Sequence, residues 1–486
     1  MKPPLNKTIF ITAFHALSSR NILATDVLRT LANQPSLKVI VLCPIFKEKF
    51  LNDLYGRSNV TFVGFQERLL SKYFWFKKFR SLTFQLIPTF TVKLRRQEAL
   101  LRKKSLLNLI WYFGERLITF LFSRSKALHN LIRRLDQNLA PTGLFQPLIK
   151  QYRPDCIFVT DIFLDSDVLL LQAARADGIF SIGMVRSWDN TTTKGLLRAV
   201  PDKLIVNNEV IKEEAIKFHD IKAKDIFVGG IPQFDLVIQQ YHTPRADFLK
   251  KIGLDPKKRM ILLAPAGIFL SDTDWQICEI LKRALNEKRL PSDLQFLVRS
   301  HPYDPAPLEK FQADERFVIE RPGTYFKQTA RMATALDTDY DFIAKNPIVD
   351  PIHAKTTEVS LQDLEHLSDS LYHSEILIHV SSTIGLDCLP FDKPQIMIDF
   401  DGWEKKNYLE SVKRYHDEDH MKKYLATGAA RLVESAEELI YWINSYLEKP
   451  DRDSSNRTRA AKEQIHFLDG QSGRRIGQYL LDQVFN

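Results

Sequence analysis

The stretch that decides the fold is Ile376-Leu-Ile-His-Val-Ser-Ser-Thr-Ile-Gly-Leu-Asp-Cys-Leu-Pro-Phe-Asp-Lys-Pro-Gln-Ile-Met-Ile398. It begins and ends with short apolar runs, Ile376–Val380 and Gln395–Ile398, which predict buried strands. A hydroxyl-rich turn and a helical segment lie between them. This order of strand, turn, helix and strand predicts parallel strands joined by a right-handed crossover.

The same alternation extends along the rest of the chain. The apolar runs lack polar alternation, as strands covered on both faces do. Further strands are predicted at Thr8–Ala13, Lys38–Leu42, Cys156–Val159, Ser181–Val185, Met260–Ala264 and Leu294–Val298. Helical patterns lie between them at Ala24–Asn33, Asp167–Asp177 and Trp275–Asn286. The sequence therefore predicts an α/β protein with doubly wound sheets.

A restart of this pattern predicts two domains. The chain has 486 residues, too many for one ordinary core. The glycines and proline of Val228–Phe234 precede a polar linker, after which strands and helices begin again. We predict Rossmann-like domains at residues 1–240 and 241–486 that face a cleft holding the active site. The polar stretch Asp337–Thr357 is predicted to be a long loop near that cleft.

Charge is concentrated in one segment of the first domain. The chain carries a net charge of +9. Residues 68–135 hold sixteen lysines and arginines against two acids, a net charge of +14, so the other residues sum to −5. Interleaved aromatic residues and a break at Pro88 predict a basic insert of two or three helices. This composition favours binding to an anionic membrane surface. A solvated helical lobe and a nucleic-acid surface are the alternatives, but no nucleic-acid module is present.

Several classes of protein are excluded. The four cysteines are far apart, which argues against a zinc site or a disulfide framework. No signal peptide is visible, and the longest apolar stretch, Leu106–Phe122, is interrupted by Glu115 and Arg116. No Gly-x-Gly-x-x-Gly follows the first strand and no Walker A sequence occurs, so NAD and P-loop chemistry are not expected. We expect a cytoplasmic protein.

The hydroxyl-rich turn is the first candidate site. Ser381, Ser382 and Thr383 bring hydroxyls and backbone N–H groups to a helix start, where anions such as a diphosphate bind. Asp387 follows one to two turns along the same helix and is placed to accept hydrogen bonds from ribose hydroxyls. The alternative is an ordinary capped helix with a solvated acid.

A second candidate lies at the end of the strand Leu294–Val298. Arg299 offers a planar fork for phosphate, and His301 can donate a hydrogen bond to phosphate or act as an acid. Both residues lie at the carboxyl end of a parallel strand, where ligands bind. A loop histidine before a proline-rich turn is the structural alternative.

Two loops of the first domain are candidates for the acceptor side. After Val185, Trp188 can stack on a sugar, Asp189 can act as a general base, and Asn190 can contact the acceptor. After the first strand, His15 is a second candidate base and Arg20 a candidate anion contact. Ordinary turn chemistry and a structural histidine are the alternatives.

The motifs resemble those of a known superfamily. Ser381–Pro394 resembles the donor-nucleotide motif of GT-B glycosyltransferases, although Asp387 stands where Glu is usual and Asp392 where Gly is usual. Val298-Arg-Ser-His-Pro302 is similar to an element of CDP-glycerol glycerophosphotransferases and capsule transferases. The loop after Val185 resembles one in surface-carbohydrate proteins, and Val228–Asp235 resembles the hinge before the second GT-B domain.

The resemblance implies a function. It implies a transferase that moves a glycosyl or glycerol-phosphate group from a CDP-, CMP- or UDP-linked donor to a lipid-linked surface-polysaccharide acceptor. No cofactor or divalent metal is expected, because no Asp-x-Asp pair follows a predicted strand. The basic insert, residues 68–135, would hold the enzyme on the inner face of the cell membrane, with no nucleic acid bound. A nucleotide-sugar epimerase of the same fold and a non-catalytic membrane-docking scaffold are the rival hypotheses.

Overall fold

A computed structural model describes residues 7–102, 105–239, 241–268, 270–301, 311, 314–322, 324–325, 357–358 and 361–485. The predicted loop Asp337–Thr357 lies outside the described residues, except for the backbone of Thr357 in a short strand. The chain forms two compact units. Residues up to Asp235, together with those from Asp469 onward, form the first unit, and described residues between them form the second.

The first unit is built on a parallel seven-stranded sheet. Its strands are β1 (Lys7–Thr12), β2 (Leu37–Pro44), β3 (Val60–Phe65), β4 (Cys156–Val159), β5 (Phe180–Met184), β6 (Lys203–Val206) and β7 (Ile226–Val228). Their order is β3-β2-β1-β4-β5-β6-β7, and every described pairing is parallel. The strand order reverses between β1 and β4, which is the mark of a doubly wound sheet.

The second unit repeats this plan. Its strands are β8 (Arg259–Ala264), β9 (Leu294–Arg299), β10 (Phe317–Glu320), β11 (Thr324–Tyr325), β12 (Thr357–Glu358), β13 (Ile376–His379), β14 (Gln395–Ile398) and β15 (Ala430–Val433). The main sheet is parallel with order β10-β9-β8-β13-β14-β15, and β11 pairs with β12 antiparallel. The predicted α/β class with two Rossmann-like domains is therefore confirmed.

Helices cover the two sheets. In the first unit they are α1 (Ala16–Ser18), α2 (Asp26–Ala32), α3 (Glu48–Tyr55), α4 (Phe74–Phe84), α5 (Phe90–Arg102), α6 (Leu106–Phe122), α7 (Lys126–Leu139), α8 (Gln146–Tyr152), α9 (Asp165–Ala176), α10 (Asn190–Thr193) and α11 (Glu209–His219). Across the boundary and in the second unit they are α12 (Pro232–Gln239), α13 (Arg245–Lys251), α14 (Asp274–Asn286), α15 (Leu361–His373), α16 (Ile384–Cys388), α17 (Lys413–His416), α18 (Asp419–Ala426), α19 (Ala436–Glu448) and α20 (Ser454–Ala460). The last helix is α21 (Ser472–Phe485).

The basic insert has more helices than the sequence predicted. Pro88 separates α4 from α5 as expected, but the insert contains four helices, α4 to α7, rather than two or three. Ser105 and Ser125 are the N-caps of α6 and α7, and each hydroxyl accepts a hydrogen bond from a backbone N–H of the first turn. These caps are the local signals that divide the second half of the insert.

The C-terminal helix corrects the predicted boundary of the second domain. Ile476, Leu480 and Val484 of α21 belong to the apolar core of the first unit. The helix packs so closely that a Cβ added to Gly229 would lie 2.5 Å from the Ile476 Cγ1 atom. This contact explains a glycine of the predicted hinge, and it places residues from Asp469 onward outside the domain predicted at 241–486.

All four cysteines are free and buried, so they pack as small apolar side chains. Among the helices in the described ranges, none combines the length and the apolar character needed to cross a membrane.

Candidate functional site

The second sheet has its switch point between β8 and β13. The strand order runs in opposite directions on either side of this pair, and ligands of doubly wound sheets bind beyond the carboxyl ends of such strands. The Ser381 turn follows β13, and a loop containing Gly267 follows β8. The turn selected from the sequence therefore lies at the position where the fold itself favours a ligand.

The turn presents polar groups at the surface of this edge. Ser381 and Ser382 are partly buried and Thr383 is exposed. The Ile384 N–H donates to the Ser382 Oγ atom over 3.4 Å, so this hydroxyl lies beside the start of α16. Helix α16 ends at Cys388, and the chain continues as a 3-10 turn.

Asp387 is more enclosed than the sequence suggested. It is the fourth residue of the five-residue α16 and is only 7% exposed. It lies about one helical turn after the N-cap Thr383. A ribose that contacts this carboxylate would meet it in a largely desolvated surrounding, where a hydrogen bond is stronger than in water.

Buried polar groups fix the start of α16. The Gln395 side chain donates to the Gly385 carbonyl over 3.0 Å, and the Tyr424 hydroxyl donates to the Gln395 Oε1 atom over 2.6 Å. A Cβ added to Gly385 would lie 2.9 Å from the His379 Cε1 atom, so only glycine fits at this contact. Burial lowers the pKa of His379 to about 3, and its ring is therefore neutral.

The loop after β8 was missed by the sequence analysis. Gly267 has a φ of +84°, a conformation that favours glycine, and its N–H donates to the Asp274 carboxylate over 2.8 Å. The loop follows a central strand at the switch point, directly beside the Ser381 turn in the strand order. The Pro265-Ala-Gly267 sequence after a buried strand was the available signal.

The end of β9 holds Arg299 and His301 in different environments. The Arg299 guanidinium forms an ion pair with Glu320 and donates to the Asp363 carbonyl over 3.2 Å. Glu320 in turn accepts from His366 at 2.7 Å. Arg299 is thus engaged in a partly buried network instead of facing solvent as a phosphate fork, whereas His301 is exposed. The phosphate contact of His301 stays a prediction.

Asp399 adds a carboxyl group that the sequence analysis did not select. It follows β14 at the same edge and is 8% exposed. Burial raises the pKa of Asp399 to about 6; Lys413 opposes this rise, and the nearby acids Glu434, Asp417 and Asp401 add to it.

This pKa predicts how stability depends on pH. A raised carboxyl pKa means that the folded state keeps a proton that the unfolded state releases, so Asp399 costs stability above pH 6, and this cost disappears as pH falls towards 4. Asp399→Asn should therefore raise the free energy of unfolding at pH 7.5 by about 1–3 kcal/mol and make little difference at pH 4. Urea unfolding at both pH values measures this.

Asp417→Asn is the control with the opposite sign. Burial alone raises the pKa of Asp417, but hydrogen bonds from Tyr408 and Lys422 outweigh it and lower the pKa. This variant should lose stability at pH 7.5. An Asp399→Asn variant that is less stable than the native protein at pH 7.5 would contradict the assignment.

The first sheet has its switch point between β1 and β4. Beyond these strands, the Arg186 Nε donates to the Asp161 carboxylate over 2.7 Å. The Thr12 hydroxyl donates to Asp167, whose pKa is raised well above its ordinary value by burial and by the neighbouring Asp161. This edge therefore combines a buried acid that favours its protonated form with an ion pair between the ends of β4 and β5.

His15 lies at this edge among cations. Its pKa is lowered well below the ordinary value, first by burial and then by Arg186, Lys47, Lys194 and Arg20. The sequence analysis gave no role to Lys47, Arg186 or Lys194. Four cationic groups around a partly buried imidazole favour a ligand with negative charge.

The hydrogen bond of His15 corrects its predicted role as a base. The Leu17 N–H donates to the His15 Nδ1 atom over 3.1 Å. The neutral ring then carries its proton on Nε2, which donates hydrogen bonds instead of accepting a proton. Arg20, predicted to contact an anion, donates to Gln233 and, over 3.1 Å, to Asn21.

The three candidate acceptor-side residues in the loop after β5 differ in their burial. Asp189 is partly buried and accepts hydrogen bonds from the Ser187 hydroxyl at 2.5 Å and from the Thr193 hydroxyl at 3.1 Å. Trp188 and Asn190 are 7% and 1% exposed. Both side chains are therefore largely enclosed, and the contacts of Trp188 with a sugar and of Asn190 with the acceptor stay predictions.

Residues 185–344 match the family model CDP-Glycerol:Poly(glycerophosphate) glycerophosphotransferase. The matched segment includes the loop after β5 and the end of β9, and it stops before the Ser381 turn. Among proteins of curated function, no significant match is found.

Solved structures align over nearly the whole chain. UDP-GlcNAc 2-epimerase from Neisseria meningitidis bound to UDP-GlcNAc has 11% identity and a TM-score of 0.52, and the alignment covers 98% of this chain and 100% of that one. The chain has the GT-B fold. The S. aureus MnaA-UDP co-structure is similar at 10% identity and a TM-score of 0.51, with 99% and 98% of the two chains covered. The glycotransferase of kitacinnamycin has 10% identity and a TM-score of 0.51, with 99% and 100% covered.

The chain thus has the GT-B fold that the motifs predicted, and residues 185–344 resemble a glycerophosphotransferase domain.

Proposed function

We propose that this GT-B protein transfers a glycosyl or glycerol-phosphate group from a CDP-, CMP- or UDP-linked donor to a lipid-linked surface-polysaccharide acceptor. The observation that carries the proposal is the Ser381 turn, with Asp387 behind it, at the switch point of the second sheet. Hydroxyls and backbone N–H groups of Ser381, Ser382 and Thr383 bind the donor phosphates, and Asp387 accepts from the ribose.

The transfer step needs a base and a way to stabilise the leaving nucleotide. Asp189 takes the proton of the acceptor hydroxyl. The hydroxyl oxygen forms a bond to the transferred group as the bond between that group and the nucleotide phosphate breaks, and the nucleotide departs. His301 donates to the departing phosphate, and Arg299 holds the strand end that carries His301 through its pair with Glu320. We propose that these groups make a divalent cation and a cofactor unnecessary, so EDTA should leave turnover unchanged.

The acceptor side is proposed to recognise negative charge. The cations around His15 and its Nε2–H group suit the phosphate of a lipid-linked glycan. A lipid acceptor requires the enzyme at the membrane, and the basic insert with its net charge of +14 supports attachment to the inner face of the cell membrane.

Nucleotide binding is the first test. Thermal melting with CMP, CDP, UDP, GDP or TDP at a hundredfold the dissociation constant should show a stabilisation of about 2.7 kcal/mol for the cognate base. Cytidine would indicate glycerol phosphate or an acidic sugar, and uridine a neutral sugar. No shift with any nucleotide would contradict the donor site and favour the scaffold. A shift with UDP-sugar turnover that needs no acceptor would favour the epimerase.

Two substitutions locate the donor. Asp387→Asn should raise the donor KM by about ten- to a hundredfold, because it removes one hydrogen bond to a charged group. Ser382→Ala should raise the donor KM by less, because its hydroxyl is neutral. Asp451→Asn changes the same charge at an exposed turn of the second unit and should leave KM unchanged. An unchanged donor KM in both site variants would refute the assignment.

A further inference from the structure

Helix α6 has its polar side against the protein and its apolar side in solvent. On the inner side, Glu115 accepts from the Gln85 side chain at 2.6 Å, and Thr119 accepts from Arg96 at 2.8 Å. Thr119 also donates to the Gln85 carbonyl at 2.7 Å, and Arg96 is only 7% exposed. The inner side of this helix therefore combines these hydrogen bonds and charges with two apolar contacts, the buried Tyr112 and Ile118, which packs against a small apolar cluster.

The opposite side is apolar and uncovered. Six large apolar side chains of α6 are between 57% and 83% exposed, namely Leu107, Ile110, Trp111, Phe113, Leu117 and Phe120. Ile110, Phe113, Leu117 and Phe120 recur at the i, i+3, i+7 and i+10 spacing of one helical face. Surface helices of globular proteins bury their apolar face against the core. A contiguous exposed apolar patch therefore marks an interaction surface.

Charge identifies the occupant of this face. The exposed cations Arg124 and Lys126 follow directly after α6, and Lys77, Lys78 and Arg95 are exposed on α4 and α5. A second copy of the chain would bring the same positive charge, so it would be repelled. An anionic lipid bilayer supplies both partners, since its acyl region accepts the apolar face and its headgroups accept the cations.

We propose that α6 lies in the plane of an anionic membrane interface, with its apolar face in the acyl region and the neighbouring cations at the headgroups. Trp111 and Phe113 occupy the boundary, where aromatic rings of interfacial helices reside. The inference rests on the proposed lipid-linked acceptor and names the element that reaches it.

The insert also holds the loop that carries Asp189. The Thr89 hydroxyl of the α4–α5 connection donates to the Thr192 carbonyl at 2.8 Å, and the Leu196 N–H donates to the Thr83 carbonyl at 2.9 Å. Arg133 of α7 donates to the Leu197 carbonyl at 2.9 Å. Membrane binding by α6 thus fixes the lipid surface relative to the acceptor loop within one compact unit.

Vesicle binding tests the proposal. The full chain should sediment at low salt with vesicles of phosphatidylcholine containing phosphatidylglycerol, and weakly with phosphatidylcholine alone. The emission of Trp111 should shift to the blue when it enters the acyl boundary. The variant Ile110→Glu/Phe113→Glu/Phe120→Glu should lose at least about tenfold in vesicle affinity, because three charges on the apolar face disfavour insertion.

Leu54→Glu is the matched control, since Leu54 is 56% exposed on α3 of the same unit, and it should bind vesicles as the native chain does. Equal binding by the triple variant, or a dimer that the triple variant abolishes while vesicles are not bound, would overturn the proposal. The shift in the melting temperature of the protein on adding nucleotide tests the donor site independently of membrane binding. If the triple variant keeps the shift and loses vesicles, α6 is the membrane element; if no vesicles bind the native chain while the shift remains, only this inference fails.

Discussion

Replacing Arg198 with Met is expected to lower the free energy of unfolding by about 3–5 kcal/mol, because it leaves a buried carboxylate without its partner. Arg198 donates to both oxygens of Asp136, at 2.8 and 3.0 Å. Asp136 is 1% exposed and Arg198 6%. The pair joins α7 of the basic insert to the chain that follows the Asp189 loop, so its loss should loosen the insert. Urea unfolding followed by circular dichroism measures the change.

Arg80→Met is the control for this variant. Arg80 pairs with Asp165 at 2.8 Å, but its side chain is 47% exposed, so its loss should cost less than about 1 kcal/mol. The double change Arg198→Met/Asp136→Leu should recover much of the stability, since it removes the stranded charge as well. If Arg198→Met were no more harmful than Arg80→Met, the pair would not anchor the insert.

The strands could be predicted because the signal for a buried strand lies in its own sequence. Runs such as Cys156–Val159 and Gln395–Ile398 have the predicted bounds in the structure, since strands covered on both faces need continuous apolar sequence. The position of α21 was not predictable. An amphipathic helix shows that it has an apolar face, but not which of two similar sheets that face will cover.

The candidate site was predictable in position and less so in orientation. A residue that follows a parallel strand lies at the ligand-binding edge, and Ser381 and His301 do so. Whether its side chain points outward depends on partners distant in sequence. Trp188 is buried, and Arg299 pairs with Glu320 of the neighbouring strand, which no motif near Arg299 announces. The inverted face of α6 likewise depends on Gln85 and Arg96 of other segments.

Gly385→Ala is expected to weaken binding of the cognate nucleotide by about ten- to a hundredfold, because a small displacement of a positioning element is costly to a bound ligand. The added Cβ would lie 2.9 Å from the His379 ring and 3.1 Å from the Gln395 Oε1 atom. His379 is fully buried and cannot turn away. Helix α16 must therefore move, and the Ser381 turn moves with it. Overpacking should also lower the stability by about 1–3 kcal/mol, which thermal melting without nucleotide reports.

A second substitution distinguishes displacement of the turn from general damage. Gly143→Ala adds the same methyl group where no atom lies within 4 Å, so melting and nucleotide binding should both stay unchanged. Adding His379→Ala to the Gly385→Ala variant removes the ring that the new Cβ would meet. If nucleotide affinity returns while overall stability does not, the loss came from the position of the turn. Unchanged affinity in the single Gly385→Ala variant would instead mean that nucleotide binding does not depend on how α16 presents Ser381 and Ser382, and the donor site would have to be sought elsewhere on the sheet edge.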